Sequence, residues 1–192
     1  MTTFLLGDGH GSDTPGKRSP FIPPGIREWE FNQDIVYRIM RIAHSQGIDC
    51  VDLAPIDEAV PLSVKAERAN RFYEGDRDCV YIAVHANAAQ GGDTMWVESA
   101  QGNAVFVHPK GSANSRRLAT ALVNEISAFG FFRNRGVKEK GLYILGKTRM
   151  PAVLTENGFM THSAEATKLA CSYWREEIAE GHVEGFKRYL KG

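Results

Sequence analysis

Two histidines in this 192-residue chain, His10 and His85, each stand just beyond an apolar, strand-like run, FLLGDGHG and CVYIAVHANA. A β-rich stretch that ends in small, flexible residues delivers an imidazole to the carboxyl end of a strand, where open α/β sheets place their binding sites. Glu28 lies near a helix start, and Glu156 follows a third apolar run, PAVLTENGF. A catalytic zinc typically takes three protein ligands from His, Asp or Glu and leaves one position for water, whose pKa then falls towards neutrality. A carboxylate that does not bind the metal can serve first as general base and then as acid. His10, Glu28 and His85 would supply two nitrogens and an oxygen, with Glu156 as the spare carboxylate. These four residues are scattered along the chain, so spacing alone does not establish the set.

The elements that must position them alternate. Strand-like runs recur at residues 3–6, 48–53, 80–85, 104–108, 142–145 and 152–155. Several are apolar throughout, the pattern of strands covered on both faces. Apolar residues at helical spacing, Phe31, Ile35, Ile39 and Ile42, mark a helix ending near Gly47; Leu118, Leu122, Ile126 and Phe129 mark another ending at Gly130. A weaker stripe spans residues 62–73. The last helix is expected over 164–190, with Ser163 as N-cap and Gly181 and Gly185 either interrupting it or allowing close packing. This alternation predicts an α/β fold with a largely parallel sheet in one domain covering residues 1–192. A long irregular stretch from Gly11 to Arg27, with Pro15, Pro20, Pro23 and Pro24, is expected to border the site.

The totals exclude several classes. Twenty-three Lys and Arg balance 23 Asp and Glu without a like-charge block, so bulk electrostatic binding of nucleic acid is not expected. No apolar stretch approaches the roughly 18 residues of a membrane span, so no membrane insertion is expected. No basic leader or cleavage site precedes His10, which predicts synthesis in the cytoplasm without a signal peptide, or a domain of a longer exported protein. Cys50, Cys79 and Cys171 form no CxxC pair and read as reduced, buried hydrophobes.

The ordered set of GHG at His10, a glutamate opening the first helix, HANA at 85–88, RGVK at 135–138 and PAVLTENGF at 151–159 resembles the zinc-dependent N-acetylmuramoyl-L-alanine amidases of type 3. The resemblance covers almost the whole chain. It implies a twisted six-stranded mixed sheet flanked by helices, one zinc ion, and hydrolysis of the amide between the lactyl group of N-acetylmuramic acid and L-alanine in peptidoglycan. REWEFN offers both Glu28 and Glu30, which point about 200° apart on a helix. The family's spacing, four before Asn32 and seven before Ile35, favours Glu28. Two positions depart from the family. Gly7 stands where an Asp is common three residues before the first ligand, and Thr161-His162 replaces the usual Ser-Asn. A missing Asp puts the orientation of His10 in question.

Asn87 and Arg135 are further candidates for substrate contact, the latter in a basic loop with Gly136 and Lys138. His162 and Trp96 are weaker candidates. His44 suits a helix carboxyl end, and His108 suits a turn. The rival readings are a zinc peptidase or deacylase on another cell-wall amide, and a peptidoglycan-binding module without turnover; retention of Glu156 argues against the module. A catalytic unit of this kind resembles phage or prophage endolysins, which reach the wall once the membrane is breached. The sequence names no protein partner.

Overall fold

The computed structural model describes residues 2–20, 25–55, 59–74, 78–91 and 94–192. Pro23, Pro24 and Gly92 lie outside them. Six strands, β1 (Thr3–Asp8), β2 (Cys50–Asp52), β3 (Cys79–Asn87), β4 (Asn103–Val107), β5 (Asn134–Glu139) and β6 (Ala152–Phe159), form one sheet in the order β2-β1-β3-β6-β4-β5. Every neighbouring pair is parallel except β4 with β6, so the sheet is mixed and largely parallel, as expected.

The helices are α1 (Glu28–Ser45), α2 (Leu62–Tyr73), α3 (Ala113–Phe129), α4 (Tyr143–Lys147), α5 (Ser163–Ala170) and α6 (Ser172–Lys191). They cover the two faces unequally. Phe4, Leu6, Val80, Ile82, Val84, Val105 and Val153 project into a large core filled by α1, α3, α5 and α6. Leu5, Tyr81, Ala83 and Leu154 project to the other face, where α2 and the five-residue α4 are the helices that pack among the described residues. His85 and Glu156 continue these last rows by the two-residue period of a strand. The functional residues thus stand where the helical cover stops.

Five expectations are corrected. Residues 142–145 form the start of α4 and not a strand: Leu142 caps a short turn whose Ile144 and Leu145 bury against the thinly covered face. The sixth strand is instead β5, whose polar sequence NRGVKE hid it from a reading based on apolar runs; it is an edge strand and none of its residues is buried. The helix expected over 164–190 is two, broken at Cys171, whose extended backbone (φ −87°, ψ 125°) caps both. His162, not Ser163, caps α5, its Nδ1 accepting from the Glu165 N–H. The break also leaves Cys171 exposed, unlike buried Cys50 and Cys79.

Gly181 and Gly185 do not interrupt α6; they let it approach α3. A Cβ at Gly181 would lie 2.8 Å from the Ile126 Cα, a backbone atom that cannot yield alone. Gly181→Ala is therefore expected to lower stability by about 1–3 kcal/mol through overpacking, despite alanine's better helix propensity. Denaturant midpoints at unchanged m-value measure it.

Candidate metal centre

The centre is assembled from the ends and interiors of three elements. In the register of β3 with β6, His85 is paired with Glu156, which puts their side chains on the same face of the sheet. Both lie inside their strands rather than beyond them, so the site rests on the sheet face as much as at its carboxyl edge. His10 lies two residues past β1 in a left-handed conformation (φ 64°), a sterically costly state for a residue with a Cβ. Gly9 makes room beside it: a Cβ there would fall 2.1 Å from the His85 ring. The loop is held by Asn32, whose Nδ2 donates to the Gly9 carbonyl at 2.9 Å. Glu28 is the first residue of α1, buried, its N–H bonded to the Lys17 carbonyl. The His85 Nδ1 donates to Glu28 Oε1 at 2.9 Å, and the His10 Nε2 lies 3.4 Å from Glu28 Oε2.

One ligand atom from each of His10, Glu28 and His85 lies within 4.8 Å of the other two. Donors on a tetrahedral zinc at its usual bond lengths stand about 3.3 Å apart, so the donor types and spacing fit that ion. Their protonation fits too. Burial pushes Glu28 upwards, but hydrogen bonds from His10 and His85 outweigh it and hold the carboxyl at about 2. Burial lowers His85 despite the pull of Glu28, which favours the neutral imidazole that a metal requires. Glu156 is the opposite case. Burial, reinforced by the charge of Glu28 and opposed by Lys140 and Lys17, raises it to about 8. Its Oε2 is buried without a hydrogen-bond partner among the described residues. Two carboxyl groups with widely separated proton affinities share one cleft, the arrangement expected of a permanent anion beside a proton carrier.

The profile of the N-acetylmuramoyl-L-alanine amidase family, Amidase_3, matches residues 5–188. The chain belongs to this amidase family. It is 28% identical over 194 residues to the N-acetylmuramoyl-L-alanine amidase LytC of Bacillus subtilis (strain 168), covering 98% of this chain and 36% of that protein. The endolysin of Bacillus phage SPP1 is 32% identical over 192 residues, covering 96% of this chain and 65% of that protein. The chain thus spans little more than a third of LytC and just under two thirds of the endolysin. An N-acetylmuramoyl-L-alanine amidase from Clostridium difficile 630 superposes with a TM-score of 0.85 at 27% identity, covering 99% of this chain and 97% of the other. The fold expected from the sequence is the fold of the amidases. Among the described residues no helix is long and apolar enough to cross a membrane.

At position 7, three residues before His10, the fold leaves no room for a side chain. Gly7 lies on the same face as Ala83, its partner in the register, and the Tyr81 hydroxyl occupies the space beside it: a Cβ at 7 would lie 2.3 Å from Oη. Asp8 is engaged elsewhere, in a buried pair with Lys65 at 3.1 Å. At the other departure, Thr161 Oγ1 accepts from the Ala89 N–H and His162 caps α5, so both serve local structure. His162 also pairs with Glu98 at 3.2 Å and does not line the cleft.

Of the remaining candidates, Asn87 lines the cleft beside Glu156. Glu30 points away from the histidines and pairs with Arg27 at 3.5 Å. Arg135 is not in a loop but on β5, its guanidinium stacked 4.8 Å from the Phe159 ring centroid, in a separate basic hollow with Arg133 and Lys138. Trp96 is half-buried against the main core. Lys17 and Lys140, which line the cleft with Glu156, were not anticipated from the sequence. Reading NRGVKE as a strand was the step that would have brought Lys140 to the site.

Proposed function

We propose that the chain is a zinc-dependent amidase that hydrolyses the bond between the lactyl group of N-acetylmuramic acid and L-alanine in peptidoglycan, with residues 1–192 as one catalytic unit acting at the cell wall. The observation that carries this reading is the conjunction of two nitrogens and a carboxylate gathered round one point with a buried, proton-holding Glu156 on the adjacent strand. His10, Glu28 and His85 would hold the ion. When bound, zinc supplies a Lewis acid that makes water a competent nucleophile near neutral pH and offsets the charge gathering on the amide oxygen.

Glu156 does the proton work in this scheme. With the Glu28 charge offset by an ion held at His10, Glu28 and His85, Glu156 would ionise and accept a proton from the attacking water. Its burial favours uptake of that proton, which then passes to the more basic departing L-alanine nitrogen. Its unpartnered Oε2 leaves an acceptor free for this exchange. Lys140 and Lys17 temper the affinity so that the proton can be lost again. Asn87, on the wall of the cleft, would meet the peptide.

Digestion of purified sacculi tests the reading. Mass spectrometry is expected to find intact stem peptides with a new L-alanine amino terminus and glycan strands left uncut. Shortened peptides still attached to muramic acid would instead identify a peptidase, and new reducing ends a glycosidase.

A further inference from the structure

The metal centre stands between two hollows that share His10, His85, Leu142 and Leu154. The larger, about 500 Å³, is walled by apolar residues such as Val60, Leu62 and Ile144, and its one lysine, Lys65, is buried and already engaged by Asp8. The smaller, about 280 Å³, holds Glu28, Glu156 and Asn87, with Lys17 and Lys140 on its walls. Neither of these two ammonium groups is paired with a carboxylate among the described residues. The backbone of each is nonetheless fixed: the Lys17 carbonyl accepts from Glu28 N–H at 2.9 Å, and the Lys140 N–H donates to the Val107 carbonyl at 3.0 Å. Two cations with fixed backbones thus line the hollow that contains Glu156 and act on its charge, the Lys140 ammonium lying 6.0 Å from the Phe106 ring centroid on the same wall.

The chemistry fixes which half of the substrate enters that hollow. The leaving amide nitrogen must come within hydrogen-bond reach of Glu156, so the peptide half lies in the hollow that Glu156 and the two lysines line. We infer that Lys17 and Lys140 form a carboxylate-recognition pair that reads the free α-carboxylate of the second stem residue, a γ-linked D-glutamate. This inference rests on the amidase reading above. That carboxylate is the first anion beyond the scissile bond, about 6 Å from the amide nitrogen at 3.8 Å per trans peptide unit. Stems in which this group is amidated to D-isoglutamine are neutral there. They forfeit the charge-assisted contacts and leave two ammonium groups unanswered.

The test compares N-acetylmuramoyl-L-alanyl-D-glutamate with its D-isoglutamine counterpart, which differ only at that carboxyl. With the zinc-loaded protein, the kcat/KM ratio of acid over amide is expected to be roughly tenfold, the scale of one charge-assisted hydrogen bond in a partly exposed site. K17M and K140M should each lower the ratio several-fold, the double variant should bring it close to one, and K140R should keep most of it. Because both substrates use Glu156, any effect of the lysines on its protonation cancels in the ratio. A wild-type ratio near one, or a ratio unchanged in the double variant, overturns the inference. If neither compound is cleaved, calorimetric binding to the Glu156→Gln protein still decides it: preference for the acid that vanishes with the lysines upholds the pair, equal binding rejects it, and the missing cleavage counts against the amidase reading alone.

Discussion

Glu156→Gln is expected to keep its zinc and its fold while losing on the order of 10²–10⁴ in kcat, the range general acid–base catalysis supplies. Glutamine keeps the size of the side chain in a buried position but cannot carry a proton at neutral pH. KM should move far less, because the missing interaction is made in the transition state. Stopped assays on soluble muramyl peptides, with metal analysis of the same samples, measure this. Near-normal turnover would overturn the role of Glu156, and loss of zinc would make it a ligand instead. The same variant carries a pH signature. In the metal-free protein the fold holds the Glu156 proton up to about pH 8, whereas the ordinary value is 4.5. Folding therefore takes up a proton between those values, and stability falls as pH rises through that window. Glu28, held at about 2, acts in the opposite sense and lower down: the stability it adds above pH 4.5 is lost as pH falls towards 2. Glu156→Gln should flatten the upper slope and leave the lower one.

His85→Ala should abolish stoichiometric zinc. Losing a partner that only orients a ligand typically costs 10–100-fold in metal affinity, and loss of a ligand itself should exceed about 100-fold. Thermal denaturation with and without added zinc gives a second readout. The wild type should gain about 2.7 kcal/mol when free zinc is 100 times its dissociation constant, whereas the variant should gain almost nothing. Glu28→Ala should behave like His85→Ala, and Glu30→Ala, at an exposed position paired to Arg27, like the wild type. Zinc retained by His85→Ala at full stoichiometry would remove that residue from the ligand set.

The elements that carry the candidate site residues were legible in the sequence. His85 and Glu156 end apolar runs long enough to announce strands, and Glu28 opens a helix whose apolar stripe is unambiguous. What the sequence withheld was adjacency. That β6 inserts between β3 and β4, and so sets Glu156 opposite His85, depends on strand order, which periodicity does not carry. Two element errors share one cause, the equation of apolar with strand. LYIL is apolar because it packs on the thin face as a helical turn, while NRGVKE is polar because it is an edge. The break at Cys171 escaped notice because SYWREEI resumes a helical pattern at once. The lysines escaped because an unpaired surface cation looks like any other until its neighbours are known.

The close fit of Tyr81 over Gly7 constrains how this chain can change. With tyrosine at 81, any Cβ at position 7 meets Oη at 2.3 Å and Cζ at 3.0 Å, so even phenylalanine at 81 would leave it cramped. Shortening Tyr81 first, with glycine still at 7, opens a void in a wholly buried place beside the metal centre. Each single step is costly, whereas the paired exchange, a smaller residue at 81 with an acid at 7, has no such obstacle. The two positions therefore form a mutational lock: in this chain an acid at 7 is accommodated only together with a smaller residue at 81.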